Sequence, residues 1–306
     1  MRVLVTGGTG FLGQAVLRQL AEKPFHIGSL QRASSTSVDD LLADGAATVE
    51  TLILKPELKD ICAQVEAFSP DVIVHIAAVS RAKEDEEGIR AMLEVNTLLP
   101  SLLAQSAARC GAKGMVVCGT SWQTSSPENI YDPFNYYAAT KQAAEDILVP
   151  FAKNGLNVIS LRMFDNYGPS DWRNKVVDLV FNAVVAQEPL KMSPGFQKMD
   201  LVYVEDAAAA IVAATERAAG DPLDQLEVYG VSSGEHHSLR DLEALIGEIT
   251  EAAPPIQWGE RPYRPNEIME PNRKLSRVPG WSPRVSLRKG LERVWESKRK
   301  ALRLAK

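Results

Sequence analysis

Met1-Arg2-Val3-Leu4-Val5-Thr6-Gly7-Gly8-Thr9-Gly10-Phe11-Leu12-Gly13 opens the chain with a short apolar run, a glycine turn and a helical pattern that continues to Leu20. The run Val3 to Val5 is short and continuously apolar, as in a strand buried on both faces. Glycines at 7, 10 and 13 after such a strand let the backbone turn tightly, so that N–H groups approach a diphosphate at the positive helix end. A lone glycine pattern is weak; strand, spacing and helix together point to a dinucleotide held by Gly7, Gly10, Phe11, Leu12 and Gly13.

Further apolar runs follow at His26 to Leu30, Val49 to Leu54, Val72 to Ile76, Met115 to Cys118 and Val158 to Leu161, alternating with helical periodicity. This rhythm predicts an α/β fold, a Rossmann-type doubly wound parallel sheet. After Arg162 the rhythm breaks into loops marked by Gly168-Pro169, Ser193-Pro194-Gly195, Pro254-Pro255 and Arg261-Pro262. We therefore expect residues 1–165 to form the dinucleotide domain and 166–306 a smaller C-terminal substrate-binding lobe, partly interleaved with the sheet. The stretches Glu87 to Ala108 and Tyr137 to Ala152 read as helices, and the apolar face of the first suits either the sheet or a homodimer contact.

The chain has 306 residues, 45% of them apolar and 24% charged, with a net charge of −5, which excludes a disordered or fibrous protein. No basic stripe marks a nucleic-acid partner, and the tail around Lys298-Arg299-Lys300 reads as a solvated helix end. No apolar window approaches a membrane span, and the start lacks the pattern of a signal peptide. With three cysteines and no C-x-x-C pair, the expectation is a cytoplasmic protein with reduced thiols.

After the second strand, where an acidic residue would meet a ribose 2′-hydroxyl, the chain has Gln31-Arg32. A guanidinium there suits a 2′-phosphate, favouring NADP(H) over NAD, unless Arg32 is a solvated loop residue. Tyr137 and Lys141 stand at i, i+4, on one helix face. A neighbouring ammonium favours the phenolate, so this pair is suited to exchanging a proton with a carbinol or carbonyl oxygen. Thr120 and Ser121, closing the strand that starts at Met115, place a hydroxyl where that oxygen would sit. His75 reads as a core histidine, and His236-His237 as loop residues without metal-ligand spacing.

These segments, with Asp71 to Ala78, Leu161 to Pro169, Met199 to Asp206 and Gly280-Trp281-Ser282-Pro283, resemble the extended short-chain dehydrogenase/reductase family, in its nucleotide-sugar epimerase/dehydratase group. The resemblance implies Ser121, Tyr137 and Lys141 as catalytic residues, Thr120 beside them, and Asn96 in a structural or proton-relay role. It adds Ala77 and Ala78 to the cofactor contacts, and Ser80, Asp165, Asn166, Lys175, Arg261 and Arg264 to those of a nucleotide-sugar substrate. Gly119-Thr120-Ser121-Trp122-Gln123 is most similar to the branch of CDP-sugar 4-ketoreductases that make abequose and paratose.

The chain also departs from the group. Dehydratases carry an acidic pair after the catalytic hydroxyl, where this chain has Trp122-Gln123, which argues against elimination of water. The arginine that usually precedes the Asp of the R-D motif is replaced by Met199, with Lys198 as a possible substitute. The acidic residue common after the third strand is missing near Leu54-Lys55. The expectation is an NADP(H)-dependent reductase of a 4-keto nucleotide-sugar. A 4-epimerase using NAD(P) is the enzymatic alternative, and a cofactor-sensing regulator without turnover the non-enzymatic one.

Overall fold

In the computed structural model the described residues are 1–35, 38, 49–55, 58–80, 85–126 and 130–304. Their largest sheet has seven parallel strands: β1 (Arg2–Thr6), β2 (His26–Gln31), β3 (Val49–Ile53), β4 (Val72–His75), β5 (Gly114–Thr120), β6 (Asn157–Met163) and, from far along the chain, β10 (Glu227–Val231). The order is β10-β6-β5-β4-β1-β2-β3, so the winding reverses between β1 and β4. In such sheets ligands bind at the carboxyl ends of the strands beside that reversal.

Successive residues of each strand face opposite layers. Val3, Val5, Val72, Val74, Val116 and Ile159 pack against α1 (Phe11–Ala21) and α7 (Val204–Ala218). Leu4, Ile73, Met115, Val117 and Val158 pack on the other side against α2 (Leu58–Phe68), α4 (Leu99–Cys110) and α5 (Tyr136–Lys153). This is why their sequences are apolar without alternation.

The helix expected from Glu87 to Ala108 divides into α3 (Glu86–Leu93), a π-helical turn Glu94–Leu98 and α4. The region expected to be loops between helices also holds short strands: β7 (Asp165–Tyr167), β8 (Leu190–Met192), β9 (Lys198–Tyr203), β11 (His236–Ser238) and β12 (Ile256–Trp258). With α6 (Val176–Ala186), α8 (Leu239–Thr250) and α9 (Leu287–Leu304), residues of this region close a third apolar cluster around Tyr167, Phe181 and Leu291. The segment after Gly280 is stitched back to α7. Trp281 Nε1 donates to the Asp206 carbonyl at 3.0 Å, while the Asp206 carboxylate accepts from the Arg284 and Val285 amides. Among the described residues no helix is long and apolar enough to cross a membrane.

Candidate active site

The glycine turn is shaped by close approach. Gly7 has φ +76°, and a Cβ there would lie 2.6 Å from the Ala77 nitrogen. A Cβ on Gly13 would lie 2.0 Å from the Gly7 carbonyl oxygen. Gly10 donates to the Gly7 carbonyl at 3.0 Å and is the N-cap of α1, which has no side-chain cap and no carboxylate in its first turn. The positive end of α1, at Phe11, Leu12 and Gly13, is thus neutralised by no side-chain cap or first-turn carboxylate, and the glycine cradle before it fits the diphosphate of a dinucleotide. Ala77 lies against this turn, with Ala78 exposed just beyond it. Arg32 follows the end of β2, exposed and without an ion-pair partner among the described residues.

A cleft of 1150 Å³ opens beside the strand ends, lined by Ser80, Thr120, Ser121, Tyr137, Asp165, Asn166, Lys175, Arg261 and Arg264. At the end of β5 the backbone enters a 3₁₀ turn, Ser121–Gln123. Thr120 is its N-cap, the hydroxyl accepting from the Trp122 amide at 3.3 Å. The Ser121 hydroxyl lines the cleft and makes no hydrogen bond to the described residues. The structure therefore separates the two hydroxyls: Thr120 holds the turn, and Ser121 is available.

Asn135 caps α5 by accepting from the Ala138 amide at 3.0 Å, which sets the first turn carrying Tyr137. The Tyr137 ring is half-buried, edge-on to Trp122 at 6.4 Å. Lys141 is 5% exposed. Here the structure corrects the sequence expectation. Burial raises the Tyr137 phenol well above its ordinary value, with the neighbouring Cys118 and Asp165 adding to the rise. Burial also lowers Lys141 to about 8, although nearby Cys118 pulls the other way. Desolvation penalises the charged form of both groups, and outweighs the attraction that spacing alone suggests. Tyr137 is therefore a protonated phenol at neutral pH.

Asn96 lies in the π turn and is fully buried. Its Nδ2 donates to the Val79 carbonyl at 2.9 Å and to Thr140 Oγ1 at 3.1 Å, while its Oδ1 accepts from the Val79 amide. It thereby clamps the segment after Ala77-Ala78 to the helix carrying Tyr137. His75 is buried, with Nδ1 2.8 Å from Thr6 Oγ1 and Nε2 without a partner among the described residues. Burial, with Lys141 nearby, holds it well below its usual value, so it stays neutral.

On the lobe side Lys175 lies 3.4 Å from Asp165 and 6.0 Å over the Trp122 ring. Arg261 and Arg264 are exposed on the lining and form no ion pair among the described residues. Asn166 Oδ1 is buried there without a partner among the described residues. Lys198, the candidate substitute for the missing arginine at Met199, pairs with Glu270 at 2.7 Å. Asp200 accepts from Ser232, Ser233 and Gly234, holding a loop. His236 and His237 lie in β11 rather than a loop, and the described residues contain no cluster suited to a metal.

Sequence reasoning missed Arg173. Its guanidinium forks onto Asp171 at 2.7 and 2.8 Å, donates to the Asn166 carbonyl, and stacks 4.2 Å over Phe11. It joins the first turn of α1 to the cleft wall. No local pattern announces a contact spanning that much sequence.

Residues 3–231 match the NAD dependent epimerase/dehydratase family. CDP-abequose synthase of Yersinia pseudotuberculosis is 24% identical over 283 residues, covering 91% of this chain and 94% of that protein. UDP-glucose 4-epimerase of Mycolicibacterium smegmatis is 27% identical over 316 residues, covering 97% and 98%. The crystal structure of Thermus thermophilus UDP-glucose 4-epimerase in complex with NAD superposes with a TM-score of 0.82 at 25% identity, covering 98% of this chain and all (100%) of that one. The glycine cradle, the Tyr-Lys helix and a match over most of the chain agree: the protein belongs to the NAD dependent epimerase/dehydratase family and is an enzyme of the extended short-chain dehydrogenase/reductase type.

Proposed function

We propose that the enzyme reduces the 4-keto group of a nucleotide-activated sugar with NADPH. The observation that carries this reading is that Ser121, whose hydroxyl has no hydrogen-bond partner among the described residues, and Tyr137, whose phenol burial keeps protonated, line the same cleft, with Trp122 in place of an acid. Gly7, Gly10 and Gly13 would hold the diphosphate of the dinucleotide, whose reduced nicotinamide would supply the hydride for the carbonyl carbon. Ser121 Oγ donates a hydrogen bond to the carbonyl oxygen and stabilises its growing negative charge. Tyr137 gives that oxygen its proton, so the ketone becomes an alcohol and the phenol a phenolate. Lys141, on the same helix face, offsets the phenolate charge in a poorly solvated site and holds the nicotinamide ribose. Asn96 keeps the cofactor loop and α5 in register.

Lys175, Arg261 and Arg264 are the cations we assign to the substrate diphosphate, with Asp165, Asn166 and Ser80 meeting hydroxyls. Arg32 is assigned to the 2′-phosphate of NADP(H). A 4-epimerase is the second reading, supported by the likeness to UDP-glucose 4-epimerases. We also propose a cytoplasmic homodimer. Leu93 and Leu98 are exposed at 48% and 39% around a surface hollow beside Ile89, and would be covered by a second copy. Leu93→Glu should then shift the sedimentation of a dimer to that of a monomer. A thermal-shift comparison of CDP-, UDP-, GDP- and dTDP-sugars tests the substrate class, since a ligand of the native state raises apparent stability by mass action. No shift with any of them would refute it.

A further inference from the structure

We infer that Gln123, whose side chain does not line the cleft, is a positioning residue for Ser121: its carboxamide ties the strand-end turn to α5, so that Ser121 and Tyr137 are held as one unit. The inference rests on the roles proposed above for those two residues. Gln123 is fully buried and bonds at both ends. Its Oε1 accepts from the Thr120 amide at 2.9 Å, and its Nε2 donates to Gln142 Oε1 at 3.0 Å. Gln142 Oε1 also accepts from Arg162 Nη2 at 3.0 Å, and Arg162 is itself paired with buried Glu145 at 2.6 Å.

The direction of every bond in this series is fixed by chemistry. An arginine only donates, so the Gln142 atom facing Arg162 must be its carbonyl oxygen. The Gln142 amino group then faces Asp146 Oδ1 at 2.7 Å, an acceptor. Gln123 must therefore turn its amino group to Gln142 and its oxygen to the Thr120 N–H, a donor. A second observation marks the same contact. A Cβ on Gly119 would lie 2.4 Å from Gln123 Oε1, so the strand end is bare where the carboxamide folds over it.

An acid cannot replace this amide when ionised. Gln123→Glu keeps the Thr120 bond but sets a carboxylate against Gln142 Oε1, and Gln142 cannot rotate without turning its amino group onto Arg162. Only the protonated carboxyl restores the donor. The charged groups around Gln142, the partner of position 123, are Arg162 of β6, paired with Glu145, and Glu145 and Asp146 of α5.

The test uses the full chain with its cofactor and sugar nucleotide, in whichever turnover the unmodified enzyme shows. Gln123→Ala should lower kcat by about tenfold to hundredfold with KM and cofactor affinity little changed, the scale of a small misplacement in a reacting site. Gln123→Glu should regain rate, relative to the unmodified enzyme, as pH falls. In Gln123→Ala the Thr120 amide should exchange hydrogen about tenfold faster while the Met115 to Cys118 amides hold, about the factor that loss of one hydrogen bond gives. Unchanged kcat or unchanged Thr120 exchange would overturn the inference. If Gln123→Ala does not fold, Gln123→Glu decides alone, and a rate ratio flat with pH overturns it. A failed reductase reading shows instead in the unmodified protein, as turnover without NADPH consumption.

Discussion

Lys141 stands one helical turn beyond Tyr137 on α5, and burial moves the two groups in opposite directions: the ammonium down to about 8, the phenol up. A lysine lowered from 10.5 to about 8 costs about 3 kcal/mol of stability at neutral pH. The sign follows from proton uptake. Below the folded value both states are charged and the penalty is full; between about 8 and 10.5 only the unfolded chain holds the proton, so stability rises with pH. Lys141→Met should therefore make the cofactor-free protein about 1–3 kcal/mol more stable at pH 7, with the gap closing towards pH 10.5. Denaturant unfolding at both pH values checks this; a variant that is less stable at pH 7 would contradict it.

Tyr137→Phe removes the hydroxyl and keeps the ring edge against Trp122. The rate should fall by about 10²- to 10⁴-fold, the usual worth of a general acid. Cofactor affinity, measured by fluorescence titration, should stay near that of the unmodified protein. A nearly normal rate would remove Tyr137 as proton donor.

Ser121 and Thr120 should part company under mutation. Ser121→Ala deletes a hydroxyl with no hydrogen bond to the described residues, so kcat should drop by about 10²-fold or more with little change in Tm. Thr120→Ala deletes the cap that accepts from the Trp122 amide and should cost about 1 kcal/mol of stability. Paired kinetic and melting measurements separate the two, and the reverse pattern would exchange their roles.

Arg32→Asp should invert the preference for NADPH over NADH, replacing attraction to a 2′-phosphate with repulsion. Titration of both nucleotides reads the ratio. NADH binding as tightly as NADPH in the unmodified protein would defeat the assignment before any mutation is made.

The first six strands along the chain and the glycine turn were legible because each depends on neighbours in sequence: Val3 to Val5 and Gly7 to Gly13 carry their own geometry, whereas the order of the strands in the sheet does not. Tyr137, Lys141 and Ser121 were legible as spacing; Tyr137 and Ser121 line the cleft, and Lys141 is buried one helical turn beyond Tyr137. What spacing could not show was their electrostatics, since burial is a property of the packed chain. The π turn at Glu94–Leu98 was likewise hidden in one continuous helical pattern. Asn96 meets Val79 and Thr140 across 17 and 44 residues, and Gln123 meets Gln142 across 19, contacts that no window of sequence encodes.

The most direct measurement is stoichiometry. Given its 4-keto nucleotide-sugar, the purified enzyme should oxidise one NADPH for each product molecule, with absorbance at the reduced-nicotinamide band falling until the substrate is exhausted. An epimerase returns its hydride to the same sugar. Interconversion of two sugar epimers without added NADPH, by protein that retains its dinucleotide through desalting, would contradict the reductase account and establish the epimerase in its place.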